Sequence, residues 1–203
     1  MTRIQKTVVL GAGTMGARIA AHFANAGLPC LLLDMVPKGA GASAAERNKL
    51  VLTGIAAAKK SKPAAFFTPA QAARIQVGNF EDDLAKITDA DWIIEVVAEN
   101  LEIKRGLLAK LAQFRKPGSI VTTNTSGLPV HLIAEGLPEE FQQHWAGTHF
   151  FNPPRYMKLV EVIPGPKTSA DVLNTLADFC DRRLGKGVNA LPSCGSGLRR
   201  ASL

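Results

Sequence analysis

The chain is short of cysteine, of aromatic residues and of long apolar runs, and each shortage removes a class of protein. Its three cysteines, Cys30, Cys180 and Cys194, are odd in number and form no pair at metal-ligand spacing. That argues against a disulfide-stapled secreted fold and fits a reducing compartment. Aromatics make up 6% of residues and the 24 Lys and Arg are scattered, so the net charge of +7 does not gather into a nucleic-acid face. Phosphate groups on a small ligand are a sufficient acidic partner. After the charged residues 1–6 only Val8-Val9-Leu10 stand before a glycine, too little for a signal peptide. No apolar run approaches the roughly 20 residues that span a bilayer. The expectation is a cytoplasmic protein with neither nucleic-acid nor membrane partners. Nor is a metal site expected: His22 falls within a helical pattern as a packing residue, His131 and His144 read as surface positions, and no pair has ligand spacing.

What is present is a core. Hydrophobic residues are 46% of a 203-residue chain, enough for one sizeable domain. Short apolar runs alternate with helical patterns. Strands are expected at 7–10, 30–33, 75–77, 91–97, 120–123, 147–151 and 159–163. Helices are expected at 14–26, closed by Gly27, at 42–62, ended by Pro63, and at 101–114 and 170–184. Thr68-Pro69 reads as an N-cap with proline at the first helical position. Continuous apolar strands separated by helices indicate a parallel sheet covered on both faces, βαβ throughout, with right-handed crossovers. There are no internal repeats and no long linkers.

Gly11-Ala12-Gly13-Thr14-Met15-Gly16 follows the first strand and opens the first helix. The first glycine permits the tight turn, the second lets backbone approach a pyrophosphate, and the third allows close helix–strand packing. A helix N-terminus attracts the phosphate charge. A bare GxGxxG is weak evidence and also suits a structural turn or FAD. Here the strand before, the helix after and Asp34 closing the next strand agree. A carboxylate at Asp34 accepts hydrogen bonds from ribose hydroxyls and repels a 2′-phosphate, which favours NAD over NADP.

Two further stretches offer chemistry. Asn124-Thr125-Ser126 follows the strand at 120–123, on the sheet edge where ligands of such folds collect. Read alone, it is equally a turn or a cap before Leu128–Ile133. His149-Phe150-Phe151-Asn152-Pro153-Pro154 and Leu159-Val160-Glu161-Val162 place a histidine in one apolar segment and a lone carboxylate in the next. Histidine is suited to pass a proton near neutral pH, and a carboxylate fixes its tautomer and stabilises its charged form. Two strands joined by a Pro-rich turn account for the same residues structurally.

Taken together, GAGTMG with Asp34, EVVAENLEIK at 95–104, Asn124-Thr125-Ser126, and HFFNPP with LVEV resemble the L-3-hydroxyacyl-CoA dehydrogenase family over residues 5–188. The resemblance implies an α/β fold, a doubly wound (Rossmann-type), mostly parallel sheet with helices on both faces, followed in the family by a helical second domain. It implies NAD as cofactor and oxidation of the 3-hydroxyl of an acyl-CoA. Gly11, Gly13, Thr14, Met15 and Gly16 would hold the pyrophosphate, Asp34 the adenosine ribose, Glu99 and Lys104 the nicotinamide-side ribose, and Asn124 the nicotinamide. For Glu99 and Lys104 a solvated helix start is the plain alternative. Ser126 would bond the substrate's 3-oxygen, His149 would accept its proton and Glu161 would orient His149. Asn152 and the lysines Lys60 and Lys62 would lie toward the acyl-CoA, with a solvated helix end as the equal alternative for the lysines. A 3-hydroxyacid dehydrogenase acting without coenzyme A shares the glycine motif but uses a catalytic lysine, so His149 with Glu161 argues against it.

Past Val188 the family's pattern stops. Residues 189–203, NALPSCGSGLRRASL, read as a disordered or foreign tail after a domain of residues 1–188. The resemblance then implies that the helical domain, with its active-site asparagine, pocket wall and dimer interface, is missing through truncation or frameshift. NAD binding is expected to persist and turnover to be weak, with a non-catalytic NAD-binding module as the alternative. An apolar face left without its covering domain would promote association.

Overall fold

A computed structural model describes residues 3–190 of the chain. Eight strands form one sheet in the order β3-β2-β1-β4-β5-β6-β7-β8. In chain order they are β1 (Thr7–Leu10), β2 (Cys30–Asp34), β3 (Ile75–Asn79), β4 (Trp92–Glu95), β5 (Ile120–Thr123), β6 (Trp145–Phe150), β7 (Leu159–Pro164) and β8 (Gly187–Ala190). All neighbours pair in parallel except β6 and β7. Helices α1 (Thr14–Asn25), α2 (Ala44–Arg47), α3 (Lys49–Lys60), α4 (Leu101–Phe114), α5 (Val130–Ile133), α6 (Glu139–Gln143) and α7 (Ala170–Arg182) connect them.

Alternation along the strands divides the core in two, since successive side chains point to opposite faces. Val9, Leu32, Trp92 and Ile94 pack with α1, α3 and α7 on one face. Val8, Leu10, Leu31, Ile93 and Val121 pack with α4, α5 and α6 on the other. With both faces covered, the central strands tolerate no polar group without a partner. The threonines within them obey this: Thr148 Oγ1 donates to Thr122 Oγ1 at 2.7 Å, and Trp92 Nε1 donates to the same oxygen at 2.9 Å. The sheet is doubly wound and Rossmann-type, as the sequence implied.

Four expectations need correcting. The helix expected over 42–62 starts at Ser43, whose hydroxyl accepts from Glu46 N while Glu46 reaches back, and it breaks at Asn48. Asn48 Oδ1 accepts from Asn79 Nδ2 at 2.9 Å, a tertiary bond that local helix propensity does not register. Thr68 is the N-cap with Pro69 opening the helix, as expected, but its side chain makes no cap bond and residues Pro69–Arg74 wind as a 3₁₀ helix. The topology is not βαβ throughout: the Pro-rich segment turns β6 back into antiparallel β7, in register His149 to Glu161. Finally, Asn189 and Ala190 are not tail but the end of β8. The rest of the expected tail, Cys194 included, lies outside the described residues. Elsewhere the expected elements differ in boundary only, while the short helices α5 and α6 and a 3₁₀ turn at Leu84–Ile87 were not expected. Among the described residues Cys30 and Cys180 are buried and unbridged. No helix there is long and apolar enough to cross a membrane.

Candidate active site

The strand order reverses between β1 and β4, and the carboxyl ends of β1, β4, β5 and β6 form a crevice at that point. Leu10, Glu95, Thr123 and Gly147 stand level across the sheet, so the residues that follow them meet above its edge.

The glycine turn is shaped by missing side chains. Gly11 has φ +104°, and a Cβ there would meet the Val96 carbonyl oxygen at 2.6 Å. A Cβ on Gly16 would lie 1.8 Å from the Gly11 carbonyl oxygen. Gly13 is different: a Cβ there would find nothing within 4 Å. The turn therefore needs Gly11 and Gly16 to form, and Gly13 to leave room. Gly13 is also the N-cap of α1, with no side-chain cap and no acidic residue in the first turn. The amides there are open to an anion, so the residues fit a pyrophosphate. Thr14 is exposed at the helix start and Met15 lines the crevice. Asp34 ends β2 beside the turn. Its Oδ2 accepts from Ala12 N at 2.7 Å and its Oδ1 from Met35 N at 2.7 Å, with lone pairs remaining on both oxygens.

Across the crevice, His149 Nδ1 lies 2.9 Å from Glu161 Oε2. The two are directly opposed in the β6–β7 ladder, and both are about a quarter exposed. The Phe151 ring lies against the imidazole at 4.6 Å between centroids. Nε2 has no protein partner among the described residues, so the ring is held from one side and free at the other. Asn124 Oδ1 accepts from Phe150 N at 2.8 Å, tying the end of β5 to the strand that carries His149. Ser126 is exposed and makes no protein hydrogen bond among the described residues. Met15, Glu99, Lys104, Asn124, Ser126 and His149 all line one space of about 360 Å³. Asn152 lines it too, although its Oδ1 already accepts from Arg18 Nη1 at 2.6 Å. Lys60 and Lys62 are exposed near the end of α3 and do not line this space.

Lys104 is not on a solvated face. It is 1% exposed, and its Nζ lies 2.8 and 2.9 Å from the two oxygens of the fully buried Glu95. Glu95 also accepts from Thr123 Oγ1 at 2.6 Å and Val97 N at 2.6 Å. Glu99, half exposed, is 3.4 Å from Lys104 Nζ and accepts from the Thr125 hydroxyl and, at 3.1 Å, from Gly127 N. Burial raises the Glu99 carboxyl, but those two bonds and Lys104 outweigh it and hold the group below the usual range. The sequence reading gave Glu95 no role. A carboxylate inside the apolar run Trp92-Ile93-Ile94-Glu95 was the available signal, because a charge in a doubly covered strand must find a partner.

A dinucleotide turn facing a histidine–carboxylate pair across one crevice defines a nucleotide-dependent oxidoreductase domain. The family model described as 3-hydroxyacyl-CoA dehydrogenase, NAD binding domain, matches residues 6–191, and the chain belongs to that family. A probable 3-hydroxyacyl-CoA dehydrogenase of Deinococcus radiodurans is 47% identical over 92% of this chain and 53% of its own length. One from Bacillus subtilis is 47% identical over 91% of this chain and 25% of its own. The chain thus spans about half the length of the first relative and a quarter of the second. The crystal structure of 3-hydroxybutyryl-CoA dehydrogenase from Escherichia coli K12 superposes with a TM-score of 0.73 at 31% identity, over 93% of this chain and 38% of that one.

Proposed function

We propose that this chain holds NAD and takes part in oxidising the 3-hydroxyl of a 3-hydroxyacyl-CoA to the ketone, in the cytoplasm. The observation that carries the reading is the His149–Glu161 contact at 2.9 Å, which leaves Nε2 open beside Ser126 and Asn124. When bound, NAD supplies the hydride acceptor. The protein's own residues supply position and proton. The open first turn of α1 takes the pyrophosphate, Asp34 takes the adenosine ribose, and Glu99 with Asn124 lies toward the nicotinamide end. Ser126 donates to the substrate oxygen and keeps it in line, and His149 Nε2 accepts the hydroxyl proton as hydride leaves carbon. Glu161 holds the Nδ1–H tautomer and stabilises the imidazolium that results. General-base assistance of this kind is worth about 10²–10⁴-fold.

Asn152, whose oxygen already accepts from Arg18, keeps its amide N–H groups and a second oxygen lone pair for substrate. Lys60 and Lys62 are assigned to coenzyme A phosphates through the family resemblance and their charge, and both are exposed. The division at residue 188 moves outward with β8, so the unit proposed to bind NAD runs to at least Ala190. Titration calorimetry with NAD tests the cofactor part. Reduction of acetoacetyl-CoA by NADH tests the chemistry. Absence of NAD binding would sink the whole reading, whereas binding with no turnover would leave the alternative of an NAD-holding module.

A further inference from the structure

Two charged groups, Glu99 and Lys104, line one wall of the crevice, and a third, Glu95, lies buried against Lys104. Glu95 is fully buried, Lys104 is 1% exposed and Glu99 is 43% exposed. One lysine serves both carboxylates: Lys104 Nζ sits 2.8 Å from Glu95 and 3.4 Å from Glu99. The shorter contacts go to the buried carboxylate and the longer one to the accessible carboxylate. The formal sum of the three is one negative charge, and its accessible end is the Glu99 carboxylate.

Resting on the cofactor reading above, this wall faces the nicotinamide end, which carries a positive charge when oxidised and none when reduced. We infer that Glu95 is a positioning residue: by sharing Lys104 with Glu99 it leaves the three groups one net negative charge, and so biases the crevice toward oxidised over reduced cofactor. A unit charge a few ångströms from a second one, at the effective dielectric of a partly exposed site, suffices for about a tenfold preference. Glu95 also braces Thr123 and Val97, so its electrostatic role must be separated from bracing.

The charge count separates them. Glu95→Gln is nearly isosteric and changes the sum from −1 to 0. Combining it with Lys104→Met restores −1 and leaves no buried charge, a replacement that folds tolerate well. Glu99→Gln, on a half-exposed side chain, also brings the sum to 0 without touching the buried pair. The measurement is the dissociation constants of NAD⁺ and NADH for each variant, with thermal unfolding on the same samples. The preference for NAD⁺ is expected to fall about tenfold in Glu95→Gln and in Glu99→Gln. It is expected to return to within about twofold of the parent in Glu95→Gln/Lys104→Met. An unchanged preference in Glu99→Gln, or no recovery in the double variant, overturns the assignment. Should the parent chain bind neither form, it is the cofactor reading that falls.

Discussion

The two walls of the crevice are built in opposite ways. At the β1–α1 turn the site is made of what is missing: no Cβ at Gly11, Gly13 or Gly16, no side-chain cap, no acid in the first helical turn. On the β6–β7 ladder the site is made of what is present, an imidazole and a carboxylate placed opposite each other by strand register. The first wall is therefore sensitive to added atoms and the second to removed ones. Added atoms endanger the fold or the cofactor, and removed ones endanger the chemistry.

The largest effect that sharpens this contrast is expected from Gly16→Ala. Its Cβ would strike a backbone oxygen at 1.8 Å, and backbone cannot swing aside as a side chain can. A loss of about 4 kcal/mol or more, visible as a lowered denaturation midpoint or no folded protein, is the expected outcome. Next comes His149→Ala, expected to lower kcat by about 10²–10⁴-fold while NAD affinity stays within about twofold. A matching loss of NAD affinity would break the division between the walls. Gly13→Ala follows. With open space around its Cβ the folded state should be retained, and calorimetry should show NAD affinity reduced by about tenfold or more.

The last prediction concerns acid pH alone and tests the helix that the turn opens. Burial, with help from nearby Lys186 and Arg155 and against a backbone contact at Leu184, pushes the His22 imidazole down from 6.5 to about 3. Neither ring nitrogen has a partner of normal geometry. Because the folded value is depressed, the unfolded chain binds the proton first. Stability is whole above about pH 6.5 and is lost as pH falls from there toward 3, by up to about 1.4 kcal/mol per pH unit. His22→Leu should flatten that part of the stability profile in urea unfolding at a series of pH values. An unchanged acid limb would show that His22 does not set it.

How much of this was legible in the sequence follows the same contrast. The glycine turn announces itself because every signal is local: Thr7–Leu10 before it, a helix pattern after it, Asp34 at the next strand end. Helix α4 was readable to the residue for the same reason, with Asn100 capping Ile103 N at 3.0 Å. The break at Asn48 was not, since helix formers continue on both sides and the partner is Asn79, 31 positions away. The direction of β7 was hidden likewise, because an apolar run does not state which way it pairs. Lys104 was placed at the site only through the resemblance: on its own a lysine on a helix reads as solvated, and only the long-range approach of Glu95 makes its burial tolerable.

Asp34 carries a consequence for anyone retooling this domain toward a phosphorylated ribose. The customary first exchange removes the acid so that it no longer repels the extra phosphate. Here the same oxygen receives the Ala12 amide and pins the middle of the turn. Swapping coenzyme preference would thus loosen the very cradle meant to receive the new coenzyme, and a redesign succeeds only if it supplies a neutral acceptor for that amide.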